Sequence, residues 1–190
     1  MEWTRVKWSE ARQILSILGV AEGEAVADPG SRPKAYFDAL RAAGQLPDAV
    51  SFLAQALPRL EAVTWAARSV RDIGEQAARK PPEAAALKAA LLWVQDPSES
   101  RRRAAYDAAT VADGSSAEAL AALAAFFSGG SIAPGEYEPV PAPRDAAGRF
   151  AAGAILIAAV NSGDMTAALN RCLDAGEALA SEGLAAGAAA

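Results

Sequence analysis

Few residues in this chain have side chains suited to catalysis, and each also has a simpler structural role. The chain contains no His and one Cys, Cys172. Those two facts exclude a His-based triad, a disulfide scaffold and a His- or Cys-rich metal site. Cys172 shares one helical face with Met165, Leu169 and Leu173, which suits a buried, inert thiol. Lys88 interrupts a mostly apolar helix. A desolvated amine there could form a Schiff base, but a lysine stem is long enough to carry its charge back to water. Asp96 and Glu99 resemble a general acid–base pair. The run Asp96-Pro97-Ser98-Glu99 matches a helix start better, with Asp96 as cap, Pro97 in the first turn and Glu99 reaching back. Arg101-Arg102-Arg103 suggests an anion site, yet successive helical positions diverge by about 100° and do not converge on one ligand. The expected arrangement is a solvated face, with Arg103 paired to Asp107 and Arg68 to Asp72. Ser128-Gly129-Gly130-Ser131 lacks the Lys of a phosphate loop and ends a helix, so it reads as a helix stop.

Two features offer recognition chemistry. Trp65 lies opposite the stripe Leu60, Val63, Ala67 and Val70, beside Glu61, Arg68 and Asp72. It either covers a neighbouring helix or, with Arg68, marks a partner surface; the first role is the commoner one. Trp3, Val6 and Trp8 raise the same question and read best as an arm docked on its own domain. Pro139, Pro141 and Pro143 stiffen an extended segment, so docking it on a partner costs little entropy. The same segment can lie across its own domain as a fixed connector, and that is the commoner arrangement. These five residues, Trp65, Arg68, Pro139, Pro141 and Pro143, are the candidate partner-binding positions. No catalytic, cofactor-binding or metal-binding residue is assigned.

The elements that must position these residues are helical. Ala fills 51 of 190 positions, which favours helix over strand. Gly19 and Gly44 stop helices, Pro33, Pro47, Pro58 and Pro81-Pro82 start them, and Ser9, the box Ser115-Ser116-Ala117-Glu118 and Asp164 stand where caps belong. The reading is an all-α single domain of about eight or nine layered helices with one Pro-rich extended strap. Residues 1–30 form an N-terminal helix and loop, residues 31–182 the helical domain, residues 129–145 the strap and residues 183–190 a flexible tail. The fifth, seventh and eighth helices are apolar nearly all round and are expected at the centre.

Charge sharpens the partner classes. Of the 18 basic and 23 acidic residues, positions 1–113 carry 15 of each, so the net charge of −5 belongs to the second half. No basic footprint for nucleic acid is visible. The acidic half suits a basic partner or, more plainly, solubility. The longest apolar run inside a helix, Phe150 to Val160, falls short of the about 20 residues a membrane span needs. With no secretory signal at the N-terminus, the expectation is a soluble, cytoplasmic chain without membrane insertion.

Several segments together are similar to a bacterial all-helical domain family of unknown function associated with type VI secretion gene clusters. They are Tyr36 to Leu57, Pro58 to Arg71, Leu87 to Ala104 and Phe126 to Pro143, with the apolar helix near Ala151 to Val160. The more specific motifs are a Trp followed closely by Asp-Pro-Ser-Glu, and SGGS before the Pro-rich strap. The resemblance covers roughly residues 30–160 and carries no catalytic residues. It implies a cellular context and no reaction; the preferred expectation is a non-enzymatic protein–protein interaction module, an accessory, adaptor or chaperone-like protein whose partner is a secretion component or effector. Two alternatives stay open: an immunity protein against a co-encoded toxin, and a small-molecule-binding helical protein or enzyme using carboxylates and Arg.

Overall fold

The computed structural model describes residues 2–74 and 79–184. Among these residues the regular structure is nine α-helices and one short 3-10 turn, Glu22–Glu24, with no strand. The helices are α1 (Ala11–Leu18), α2 (Pro33–Ala42), α3 (Leu46–Ala56), α4 (Arg59–Ile73), α5 (Pro81–Gln95), α6 (Glu99–Val111), α7 (Ala117–Phe126), α8 (Ala146–Val160) and α9 (Met165–Glu182).

The boundaries follow local chemistry. Gly19 ends α1 with φ 78°, and Gly44 turns the chain between α2 and α3 with φ 71°. Prolines occupy the first turns of α2, α3 and α5. Ser116 and Asp164 accept hydrogen bonds from Ala119 N and Ala167 N, capping α7 and α9. Two expected caps differ. The N-cap of α1 is Glu10, not Ser9, and Gln13 Oε1 reaches back to the Glu10 amide at 3.2 Å. Asp96 closes α5, and Ser98 is the N-cap of α6; the Asp96 carboxylate accepts from Arg101 Nε at 2.8 Å instead of capping α6.

α4 and α8 form the middle of the molecule. They pack on each other, on α7 to one side and on α9 to the other; α3 also packs on α8 and α9, and α5 and α6 extend the α7 side. Ala accounts for most buried positions of α7 and α8. A methyl side chain keeps the helix backbones close and leaves little apolar area per residue, so this core works by close approach. The expectation that α5 is central does not hold: Ala84, Ala85 and Lys88 face solvent, and only Ala86, Leu87, Ala90 and Trp93 of its apolar residues are buried. α4 takes that place, burying all its residues from Glu61 to Ala67. Its polar letters hid this, because Thr64 bonds to the Leu60 carbonyl and Glu61 pairs with Arg5 at 3.1 Å.

Trp65 shows how the middle is closed. It is only 1% exposed, and its Nε1 donates to the Cys172 carbonyl of α9 at 2.7 Å. The large ring fits because α9 has Gly176 opposite it. A Cβ at Gly176 would stand 2.7 Å from Trp65 Cε2 and 2.7 Å from Leu53 Cδ2. The N-terminal arm is docked on the same region. Trp3 is buried and packs on Phe37 at 5.0 Å between ring centres. Arg5 N donates to Ala180 O at 2.9 Å, and Thr4 donates to Ser181 O. Within the tail expected from residue 183, Gly183 is buried and Leu184 packs on the core. Residues 185–190 of that tail lie outside the described residues.

The Gly176 contact generates a stability test. Gly176→Ala adds a methyl between two rigid neighbours and is expected to cost about 1–3 kcal/mol of unfolding free energy. Gly114→Ala, at a site with open space around the new methyl, is the matched control and should change stability by less than about 1 kcal/mol. Urea denaturation of the two variants measures the difference.

Candidate functional site

Among the described residues the strap holds the longest run of exposed positions, residues 134–141, and arginines hold it in place. Residues 127–145 leave α7 and return to α8 as a two-legged hairpin, not as one extended strand. Ser131 and Pro141 form an isolated antiparallel bridge, Ile132 N donates to Val140 O at 2.8 Å, and Tyr137 N closes the tip on Pro134 O at 3.1 Å. Ser131 ties the legs: its hydroxyl accepts from Ala133 N at 3.1 Å and from Val140 N at 3.0 Å. Four prolines deprive the strap of N–H donors, so such a hairpin cannot extend into a ladder.

The base of the hairpin is pinned from α6. Arg102 is buried, at 4% exposure. Its Nη1 donates to Phe126 O at 2.6 Å and its Nη2 to Ser131 O at 2.7 Å. Nε and Nη2 also bind the two oxygens of Glu99, at 2.6 and 2.7 Å. Arg103 adds bonds to Ser131 O at 2.8 Å, Ala133 O at 2.7 Å and Glu99 at 2.9 Å. Both guanidinium groups lie over the Phe126 ring, at 4.7 and 5.6 Å from its centre. From α4, Arg59 donates to Ser128 O at 2.9 Å. A fork of rigid N–H donors thus satisfies carbonyls that the end of α7 leaves without helical partners. Gly130 makes the approach possible. Its φ is 65°, and a Cβ there would stand 3.0 Å from Arg102 Nε.

This arrangement corrects the reading of Arg101-Arg102-Arg103 as a solvated face. Arg101 does point outward, to Asp96 at 2.8 Å. Arg102 and Arg103 serve the strap, and Arg103 pairs with Glu99 behind it instead of Asp107 ahead. The three side chains still diverge, and the convergence occurs on a loop far along the chain. No local signal points to this: α7 has no basic residue in its last turn, but neither do α3, α5, α6, α8 and α9.

The candidate partner residues separate cleanly. Pro139, Pro141 and Pro143 are exposed, together with Tyr137 at 65% and Val140 at 46%. Trp65 is not a surface anchor; it is spent inside, between α3, α4 and α9. Arg68 is half-buried on α4, one turn from that indole, and Asp72 pairs with Arg71 instead. Lys88 is exposed. Cys172 is buried, and loss of hydration pushes its thiol above the usual range, against a hydrogen bond with Ser69 that works the other way. Among the described residues no group of His, Cys, Asp or Glu could hold a metal ion, and no helix is long and apolar enough to cross a membrane.

Residues 36–180 match a Family of unknown function (DUF6931). The chain belongs to this family. The matched region starts in α2 and runs through α9, so the DUF6931 core contains the Trp65–Gly176 contact, the arginine clamp and the strap. It reaches further along α9 than the roughly 30–160 span read from motifs. No curated protein and no solved structure matches the chain significantly.

Two measurements test the clamp. Arg102→Met keeps the apolar stem and removes the donors. It is expected to cost at least about 2 kcal/mol, since Phe126 O loses a buried partner, and to speed hydrogen exchange at the Ile132 amide. The second is a pH effect. The Arg102 guanidinium holds the Glu99 carboxyl at about 2, below its ordinary 4.5. A carboxyl depressed in the folded state stabilises the fold above its unfolded pKa and loses that contribution as pH falls. The stability gap between the native chain and Glu99→Gln should therefore narrow between pH 4.5 and about 2. Glu99 is largely exposed, so added salt should shrink the gap as well.

Proposed function

We propose that this protein is a non-enzymatic, cytoplasmic protein–protein interaction module that presents the strap hairpin to a protein partner. One observation carries the reading: an exposed ridge of Tyr137, Pro139, Val140, Pro141 and Pro143 stands on a base immobilised by a buried arginine. Exposed apolar side chains on a segment whose backbone is already ordered lose little entropy when a partner covers them. The partner role proposed from sequence for Pro139, Pro141 and Pro143 is retained; the one for Trp65 is withdrawn, and Arg68 has no contact that favours it.

The biological setting we propose is an accessory, adaptor or chaperone-like role beside bacterial type VI secretion, with a secretion component or effector as partner. The support is the family resemblance carried by the Trp–Asp-Pro-Ser-Glu and SGGS–strap motifs. A carboxylate-and-Arg enzyme is less well supported, because the arginines that would serve it are engaged by Glu99 and backbone carbonyls.

The test is affinity capture in a bacterium that encodes the chain, comparing it with Tyr137→Ser/Val140→Ser. Both positions are exposed, so the variant should keep its stability within about 0.5 kcal/mol. Recovery of a secretion component or effector by the native chain, reduced at least about tenfold in the variant, supports the reading. Equal recovery by both would remove the strap from the interface. Protection of cells from a co-encoded toxin, without capture of secretion components, would assign the chain to immunity instead.

A further inference from the structure

A second feature is independent of the strap's apolar ridge. A cleft of about 540 Å³ lies between the N-terminal arm, the turn joining α3 to α4, and the first turn of α8. Its size falls within the range of about 300–1,000 Å³ typical of small-molecule sites. One wall is apolar, built from Trp8, Ile17 and Leu57. That wall is fixed, because Trp8 Nε1 donates to Gln55 O at 3.2 Å. The floor is closed by the Gln55 side chain, whose Nε2 donates to Asp145 O at 2.9 Å.

The charged side chains that line this cleft have one sign, and the neighbouring Asp145 carboxylate is paired with Arg149. Lys7, Arg59 and Arg144 line it, and no Asp or Glu does. The chain as a whole carries a net charge of −5, so a wholly cationic cleft is a local departure from the average. Lys7 and Arg144 are exposed and form no ion pair among the described residues. Arg59 is already steadied by Ser128 O. The first turns of α4 and α8 also border the cleft, through Arg59 and through Ala147 and Gly148. Neither helix has a side-chain cap at its N-terminus; Ala146 N of α8 donates to Pro143 O, and the remaining first-turn N–H groups add to the same positive potential.

We propose that this cleft binds a small organic anion: a carboxylate or phosphate headgroup on a compact apolar body. The headgroup meets Lys7, Arg59 and Arg144, and the body lies along Trp8, Ile17 and Leu57. A neutral ligand of the same shape keeps the apolar contact and loses the three cations, so the site discriminates by charge. Cations of a cleft lined without acids have no internal counter-ion, so an anion that enters displaces only water and salt.

Isothermal titration of the full chain with 2-naphthoate, 2-naphthyl phosphate and the neutral 2-naphthamide tests this. Expected is one-to-one binding of at least one anion, at least about tenfold tighter than the amide, since one charge-assisted contact is worth about that factor. In Lys7→Gln/Arg144→Gln, anion affinity should fall about tenfold or more while amide affinity stays within about twofold. Both residues are exposed, and an unchanged melting temperature verifies that the variant is folded. Tyr137→Ser/Val140→Ser should leave anion binding unaltered, which separates this site from the strap. Amide binding as tight as that of the anions, no saturable binding of either anion, or an unaffected double variant would overturn the proposal.

Discussion

The structure depends on one constraint: its interior is built largely from alanine, and alanine stabilises a core only where backbones come close. Each methyl removes little apolar surface from water, so the contribution must come from many short approaches between helices. α7 and α8 meet this requirement with Ala at most of their buried positions. The few large side chains then need matching absences. Trp65 lies where α9 offers Gly176, and Arg102 lies where the strap offers Gly130. Large groups and glycines are therefore paired across the fold, and neither member of a pair explains itself in isolation.

Close packing has a second consequence at helix ends. Short helices terminate often, and each terminus leaves carbonyl or N–H groups unmatched. Where α7 ends, guanidinium groups from α6 and α4 supply the donors. That repair orders the strap, because the carbonyls of Ser128, Ser131 and Ala133 belong to it. An interaction that answers a packing problem thereby creates a stiff, exposed hairpin. At the opposite kind of terminus, the starts of α4 and α8 border a cleft supplied with cations and no acids. The two candidate surfaces share Arg59 and the return of the strap into α8, and they call on different chemistry: apolar contact at the hairpin, charge in the cleft.

Much of the fold could be read from residue order because the signals are local. A Pro in a first turn, a Gly beyond a last turn, and Ser116 or Asp164 ahead of a helix act within about four residues. The helix count and the all-α class follow from them. The errors concern burial. α5 has the more apolar sequence, yet α4 is the inner helix, because Thr64 returns its hydroxyl to the Leu60 carbonyl and Glu61 meets Arg5 from the distant arm. Angular position on an isolated helix left Trp65 two roles, cover for a neighbouring helix or partner surface; it takes the first, against α9 more than a hundred residues later in sequence.

Taken alone, the order of residues determined the helical class, most element boundaries, the absence of His chemistry and the proline-governed, non-helical character of residues 129–145. Each depends on backbone preferences or on composition, which need no knowledge of distant neighbours. Only the tertiary structure decided that Arg102 is buried, that the strap doubles back on Ser131, that Trp65 is interior and that Lys7, Arg59 and Arg144 share one cleft. Those outcomes join positions tens of residues apart. Their physical cause is the mutual satisfaction of polar groups and volumes brought together by packing, which no local pattern encodes.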